Sequence, residues 1–122
     1  MKPETKFWQD VRKIKSEIRW TRLENLSSLG TPDLLGYNNT GTFFTVELKV
    51  TKTNKCVISP HQIAFHIVHP KNSFILVKAL LTKEVKLYEG SRIRDLVAVG
   101  LKLEPWSLGL EASLKKLSEL GA

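Results

Sequence analysis

The chain has 122 residues, long enough for one buried core and short of the length at which a second is expected. Nineteen Lys plus Arg against twelve Asp plus Glu give a formal charge of +7 and a pI near 9.7, which favours a polyanionic partner such as nucleic acid without separating DNA from RNA or an anionic membrane. Cys56 is the only cysteine, which excludes an intramolecular disulfide and a cysteine-rich zinc site and suits a reducing cytosol.

The N-terminus, MKPETKFWQD, carries charges where a signal peptide needs its apolar segment, and no later run is both long and uncharged enough to span a bilayer. A cytoplasmic protein is expected, in the host cell if it is phage-encoded, with no membrane partner. Residues 4 to 18 read as an amphipathic helix, because Phe7, Trp8, Val11, Ile14 and Ile18 recur at helical spacing while Lys6, Lys13 and Lys15 lie elsewhere. Glu4 falls near the centre of the apolar stripe, where a carboxylate also suits the helix N-terminus. Glu17 sits off the stripe. Arg19 to Asn25 alternates Trp20, Thr21 and Leu23 with Arg19, Arg22 and Glu24, as a short strand with one polar face would. Arg19 and Arg22 are candidate phosphate contacts; as edge charges they also discourage sheet-to-sheet association. Ser27-Ser28-Leu29-Gly30 reads as a flexible approach whose small residues would let a phosphate backbone come close.

From Phe43 to Val50 the period is two, with Phe44, Val46, Leu48 and Val50 on one face and Glu47 and Lys49 on the other. Asp33 follows Pro32 and leads into Leu34 and Leu35, a short strand that returns beside 43–50 through the turn-rich Tyr37-Asn38-Asn39-Thr40-Gly41. Asp33, Glu47 and Lys49 therefore converge. Hard divalent cations prefer carboxylate oxygens, so Asp33 and Glu47 suit Mg²⁺ or Mn²⁺, and a lysine on the same face can stabilise a hydroxide or the charge on a phosphate under attack. A solvated hairpin with a cross-strand ion pair is the bland alternative.

Lys52 and Lys55 lie in a polar loop after this strand and are candidate phosphate contacts. Ser59, Pro60 and Gln62 spell a capping box that opens a helix over 59–69, with Ile63, Ala64, Ile67 and Val68 as its buried face. His66 and His69 stand at i,i+3 with no third zinc ligand nearby, so His61, His66 and His69 are read as solvated or phosphate-contacting. Ser73 to Ala79 reads as a buried central strand and Lys83 to Glu89 as another, with a helix from Ser91 through Val99. A last helix spans Trp106 to Leu120, with a Leu110-Leu114-Leu117 stripe for the core or a dimer contact. P-loop, dinucleotide and G-x-S-x-G signatures are lacking.

Pro32-Asp33, followed fourteen residues on by Glu47-Leu48-Lys49, resembles the PD-(D/E)XK nuclease superfamily. The surrounding GTPDLL and VELKV, with Ser59-Pro60-His61-Gln62, look most like its small VRR-NUC and Holliday junction resolvase branches, over roughly the first two-thirds of the chain. The resemblance implies one restriction-endonuclease-like α/β domain with a central mixed sheet of about five strands flanked by helices. It also implies a Mg²⁺- or Mn²⁺-dependent endodeoxyribonuclease in which Asp33 and Glu47 hold the metal, Lys49 orients water and Gln62 lies beside them. A first-helix glutamate belongs to such sites, which makes Glu4 the carried-over metal candidate over Glu17 and Glu24. Branched DNA and a homodimer are the partners implied. A non-catalytic DNA-binding subunit of the same fold and a sequence-specific duplex endonuclease are the alternatives.

Overall fold

Alternation along Phe43–Thr51 turns one strand into the pivot of two cores. Phe44, Val46 and Leu48 are buried on one side of it, while Glu47 and Lys49 point to the other. The computed structural model describes residues 2–23 and 30–122 and is an α/β fold whose six-stranded mixed sheet is flanked by helices. In chain order the strands are β1 (Ile18–Arg22), β2 (Leu34–Asn38), β3 (Phe43–Thr51), β4 (Ser73–Ala79), β5 (Val85–Glu89) and β6 (Ser107–Leu108), and they lie side by side in that same order. Every neighbouring pair is antiparallel except β3 and β4, which run parallel because helix α2 (Pro60–Val68) carries the chain back between them.

Helices α1 (Pro3–Lys13) and α4 (Leu110–Ser118) close one face over Phe7, Val11, Leu34, Phe44, Val46, Leu76, Leu87, Leu114 and Leu117. The other face is closed over Ile75, Val77 and Tyr88 by Cys56, Ile58, α2 and α3 (Ile93–Val99). On the α1 face an aromatic row crosses the sheet: Trp8 meets Trp20 at 6.2 Å, Trp20 meets Phe44 at 5.7 Å, and Phe44 meets Phe74 at 6.2 Å, all edge-to-face. Trp106 stacks on Phe74 at 5.4 Å, with the Lys116 ammonium 4.3 Å from its ring centre. Each aromatic pair is worth about 0.5–1.5 kcal/mol beyond the area it buries. Trp20 on β1 reaches Phe44 on β3 because the residue between them in register is Gly36.

Several boundaries differ from those read off the sequence. The first helix ends at Lys13, since Ile14 is already extended, and Ile18 opens β1 instead of closing the helix. The strand expected over Arg19–Asn25 is Ile18–Arg22; Glu24 and the Ser27-Ser28-Leu29 approach lie outside the described residues. Trp106 and Ser107 belong to the sheet side of the chain, where Trp106 N–H donates to Leu87 O, so α4 starts only at Leu110 and a sixth strand appears. Helix α2 begins with the expected capping box but buries His66; Ile67 and Val68 are 44% and 71% exposed and Ala64 is exposed, so the apolar face read from composition is not the one that packs. Leu114 and Leu117 are spent in the domain's own core, which removes the leucine stripe as a pairing surface.

A methyl group at position 36 would sit 2.4 Å from the Phe44 ring. Gly36→Ala is therefore expected to cost about 1–3 kcal/mol through overpacking. Urea unfolding monitored by tryptophan fluorescence measures it, and an unchanged midpoint would contradict the packing described.

Candidate functional site

Asp33 stands one residue before β2, whose register sets Leu34 opposite Val46. Its Oδ2 accepts the Leu48 backbone N–H at 2.7 Å, so the carboxylate extends the β2–β3 ladder by one hydrogen bond. Its own carbonyl accepts the Leu23 N–H at 2.8 Å, and Pro32 beside it is buried. These bonds hold the Asp33 side chain against β3, beside Glu47.

Glu47 is 2% exposed. Its Oε2 accepts from Gln62 Nε2 at 2.9 Å, and its Oε1 is buried without a hydrogen-bond partner. Ionised carboxylates only accept, so Asp33 and Glu47 can bond each other only while one keeps a proton. Burial, then the negative charge of Asp33, then that shared proton push the Glu47 carboxyl up from 4.5 to about 9, against the pull of the Lys49 ammonium.

Gln62 ties this pair to the lysine. Its Oε1 accepts from Lys49 Nζ at 2.9 Å and from the Ser59 backbone N–H at 3.1 Å, while Ser59 Oγ accepts the Gln62 N–H at 3.2 Å. With two donors at the oxygen and a carboxylate at the nitrogen, the amide has one sensible orientation. The capping box of α2 and the polar centre on β3 thus share one side chain. Gly30 lets the chain before Asp33 press against the start of α2: its φ is +84°, and a Cβ there would lie 2.4 Å from the His61 carbonyl oxygen. The glycine serves this close packing.

Behind Lys49 lie Cys56 and His66. The Cys56 thiol is pushed up to about 11, mainly by burial and further by Glu47, with Lys49 opposing, so the protonated form is favoured. His66 is fully buried, and burial first, then His69 and Lys49, lower it to about 4. Ser73 Oγ donates to His69 O at 2.5 Å and therefore accepts from His66 Nδ1 at 3.2 Å, leaving a neutral ring. The expectation of a solvated His66 is corrected: it sits four residues after Gln62 on the same helical face, and that spacing was the available signal. His61 and His69 are exposed, with His69 stacked on Phe65 at 4.3 Å.

Asp33, Glu47, Lys49 and Gln62 are thus brought together. Glu4 is half-buried in the first turn of α1 and joins no such group; among the described residues no cluster of three or more His, Cys, Asp or Glu is assembled. Glu17 is exposed between α1 and β1. Arg19 and Arg22 are exposed on opposite faces of the edge strand β1. Lys52 and Lys55 are exposed in the turn after β3, which Thr51 closes by donating to Lys55 O at 2.8 Å. No helix among the described residues is long and apolar enough to cross a membrane. Comparison with protein-family models and with curated proteins gave no match.

The residues present fit a hard divalent cation: one carboxylate on β3 and one just before β2, an oxygen without a partner, and a proton on Glu47 that a cation would displace. Without one, Glu47 weakens the fold as pH rises. Below about 4.5 both the folded and unfolded chains protonate it; from there to about 9 the unfolded chain ionises while the folded chain keeps the proton, so its contribution is lost across that window. In chelator, Glu47→Gln should raise the melting temperature by several degrees at pH 8 and leave it nearly unchanged at pH 4. Thermal unfolding of both proteins across this range measures the difference, and parallel curves would contradict the uncompensated carboxylate.

Proposed function

We propose that this protein is a metal-dependent endodeoxyribonuclease that hydrolyses phosphodiester bonds, with the PD-(D/E)XK arrangement its sequence resembles. The observation that carries the reading is the buried Glu47 beside the part-exposed Asp33, with Lys49 two residues along the same face and Gln62 bridging Glu47 to Lys49. Asp33 and Glu47 would hold Mg²⁺ or Mn²⁺. Such an ion, when bound, supplies charge stabilisation at the scissile phosphate and lowers the pKa of an attacking water.

The remaining work falls to the chain itself. Asp33, anchored by the Leu48 N–H, and Glu47, anchored by Gln62, present their carboxylates without rearrangement. Lys49, held by Gln62 Oε1, offers its ammonium to a hydroxide or to the charge that grows on the phosphate oxygens. Burial of Glu47 keeps bulk water from that side. The +7 charge supports DNA as the polyanionic partner, and Arg19, Arg22, Lys52 and Lys55 are its exposed candidates for phosphate contacts. A branched substrate, a homodimer and a cytoplasmic setting belong to the same proposal.

Asp33→Asn and Glu47→Gln should abolish cutting of labelled DNA in Mg²⁺ or Mn²⁺ while DNA binding in Ca²⁺ survives, and Lys49→Ala should cut about 10²–10³-fold more slowly. Nicking at the wild-type rate by either carboxylate variant would refute the site. The same cation should raise the melting temperature of the wild type and not that of Glu47→Gln. Affinity for uncut DNA should fall steeply as salt rises, since phosphate neutralisation releases counterions; a flat response would remove nucleic acid as the partner.

A further inference from the structure

Helices α2 and α3 cover only part of their face of the sheet. The buried cluster there draws on β4 and β5 and on no residue of β1 or β2. On the uncovered part, Arg19, Tyr37 and Phe43 lie directly opposite one another on β1, β2 and β3, forming a row across three strands. Phe43 is 59% and Tyr37 39% exposed, with ring centres 4.4 Å apart and planes inclined by 45°. The rings support each other and leave outer surface open. Arg19 is exposed and makes no ion pair with a described residue. A polar cleft of about 370 Å³ lies between Arg19, Tyr37 and the Asn38–Gly41 turn.

The row shares its face with the carboxylate site. Phe43 and Glu47 are four residues apart on β3, both on the α2 side, a distance of about 13 Å at strand rise. A nucleic-acid strand with its phosphate at Glu47 would run over Thr45 to Phe43 within a few nucleotides. In an uninterrupted duplex the faces of the bases are covered by their neighbours; an unpaired base can lie on a ring, and base–aromatic stacking tolerates any sequence.

Resting on the nuclease reading above, we infer that Phe43 and Tyr37 form a stacking platform for an unpaired base of the strand being cut, with Arg19 on the phosphate beside that base. The preferred substrate is then a strand with unpaired nucleotides next to the cut. The net charge and the Arg19 guanidinium, without an ion pair among the described residues, favour this occupant over an apolar protein surface.

Fluorescence anisotropy in Ca²⁺, with labelled oligodeoxythymidine and a blunt duplex as probes, tests the platform without requiring cleavage. Phe43→Ala and Phe43→Leu should bind the single strand about tenfold more weakly and the blunt duplex unchanged. Phe43→Trp should keep single-strand binding near that of the wild type, and Arg19→Ala should lower the slope of its salt dependence by about 1. Phe43→Leu keeps an apolar β-strand side chain and so remains readable if the alanine variant unfolds. Equal single-strand affinity for Phe43→Leu and wild type, or an equal loss on both probes, would overturn the inference. Failure of the nuclease reading looks different: no cutting in Mg²⁺ or Mn²⁺, with the binding difference intact.

Discussion

The fold around Glu47 depends on one unfavourable placement: a carboxylate 2% exposed beside a second carboxylate, with one oxygen lacking a hydrogen-bond donor. Buried polar groups are ordinarily paired, and an unpaired one costs free energy that other contacts must offset. Here the offset comes from both sides of β3. Phe44, Val46 and Leu48 lock the strand into the α1–α4 core, and Ile75 and Tyr88 flank Glu47 in register on the opposite face. The strand cannot slip by one residue without exchanging an apolar core for the charged set, so packing fixes where the carboxylate points.

Gln62 carries a second constraint. A capping-box glutamine normally returns its side chain to the N-cap amide alone. In this chain the same oxygen also takes the Lys49 ammonium, and the amide nitrogen takes Glu47. The position of α2 over the sheet is thereby coupled to the geometry of the polar centre. Gly30 against the His61 carbonyl and His66 against Ser73 fix the same helix at its start and toward its end. Local helix initiation and site construction are one event.

Much of this was legible in the residues. The alternation of Phe43–Val50, the Ser59-Pro60-x-Gln62 cap and the apolar run of β4 specify their elements through local sterics and hydrogen bonding, and the structure has them where the pattern puts them. The convergence of Asp33 with Glu47 and Lys49 followed from strand facing and a turn of the right composition. Tertiary facts were less legible. Composition marks Ile67 and Val68 as apolar, yet the direction of α2 is set by Gln62 and His66, so two aliphatic side chains face out and a histidine faces in. Trp106 looked helical by its leucine neighbours, but stacking on Phe74 and a hydrogen bond to Leu87 draw it to the sheet. The burial of Glu47 was not visible either, because it depends on residues distant in sequence closing over a face that looks polar when read one strand at a time.

The uneven cover of the sheet follows from chain economy. Of the four α-helices among the described residues, α1 and α4 are committed to one face, leaving α2 and α3 for a face six strands wide. Those two helices sit over β3 to β5, where the parallel pair needs shielding on both sides. Strands β1 and β2 pair antiparallel, an arrangement that tolerates water on one side, so the open part of the sheet falls there. Asp33 and Glu47 lie at the border between the two regions, where β2 meets β3. A site at that border is buried from the helical side and approachable along the strands from the other, and the same division of cover that leaves Tyr37 and Phe43 exposed keeps Glu47 dry.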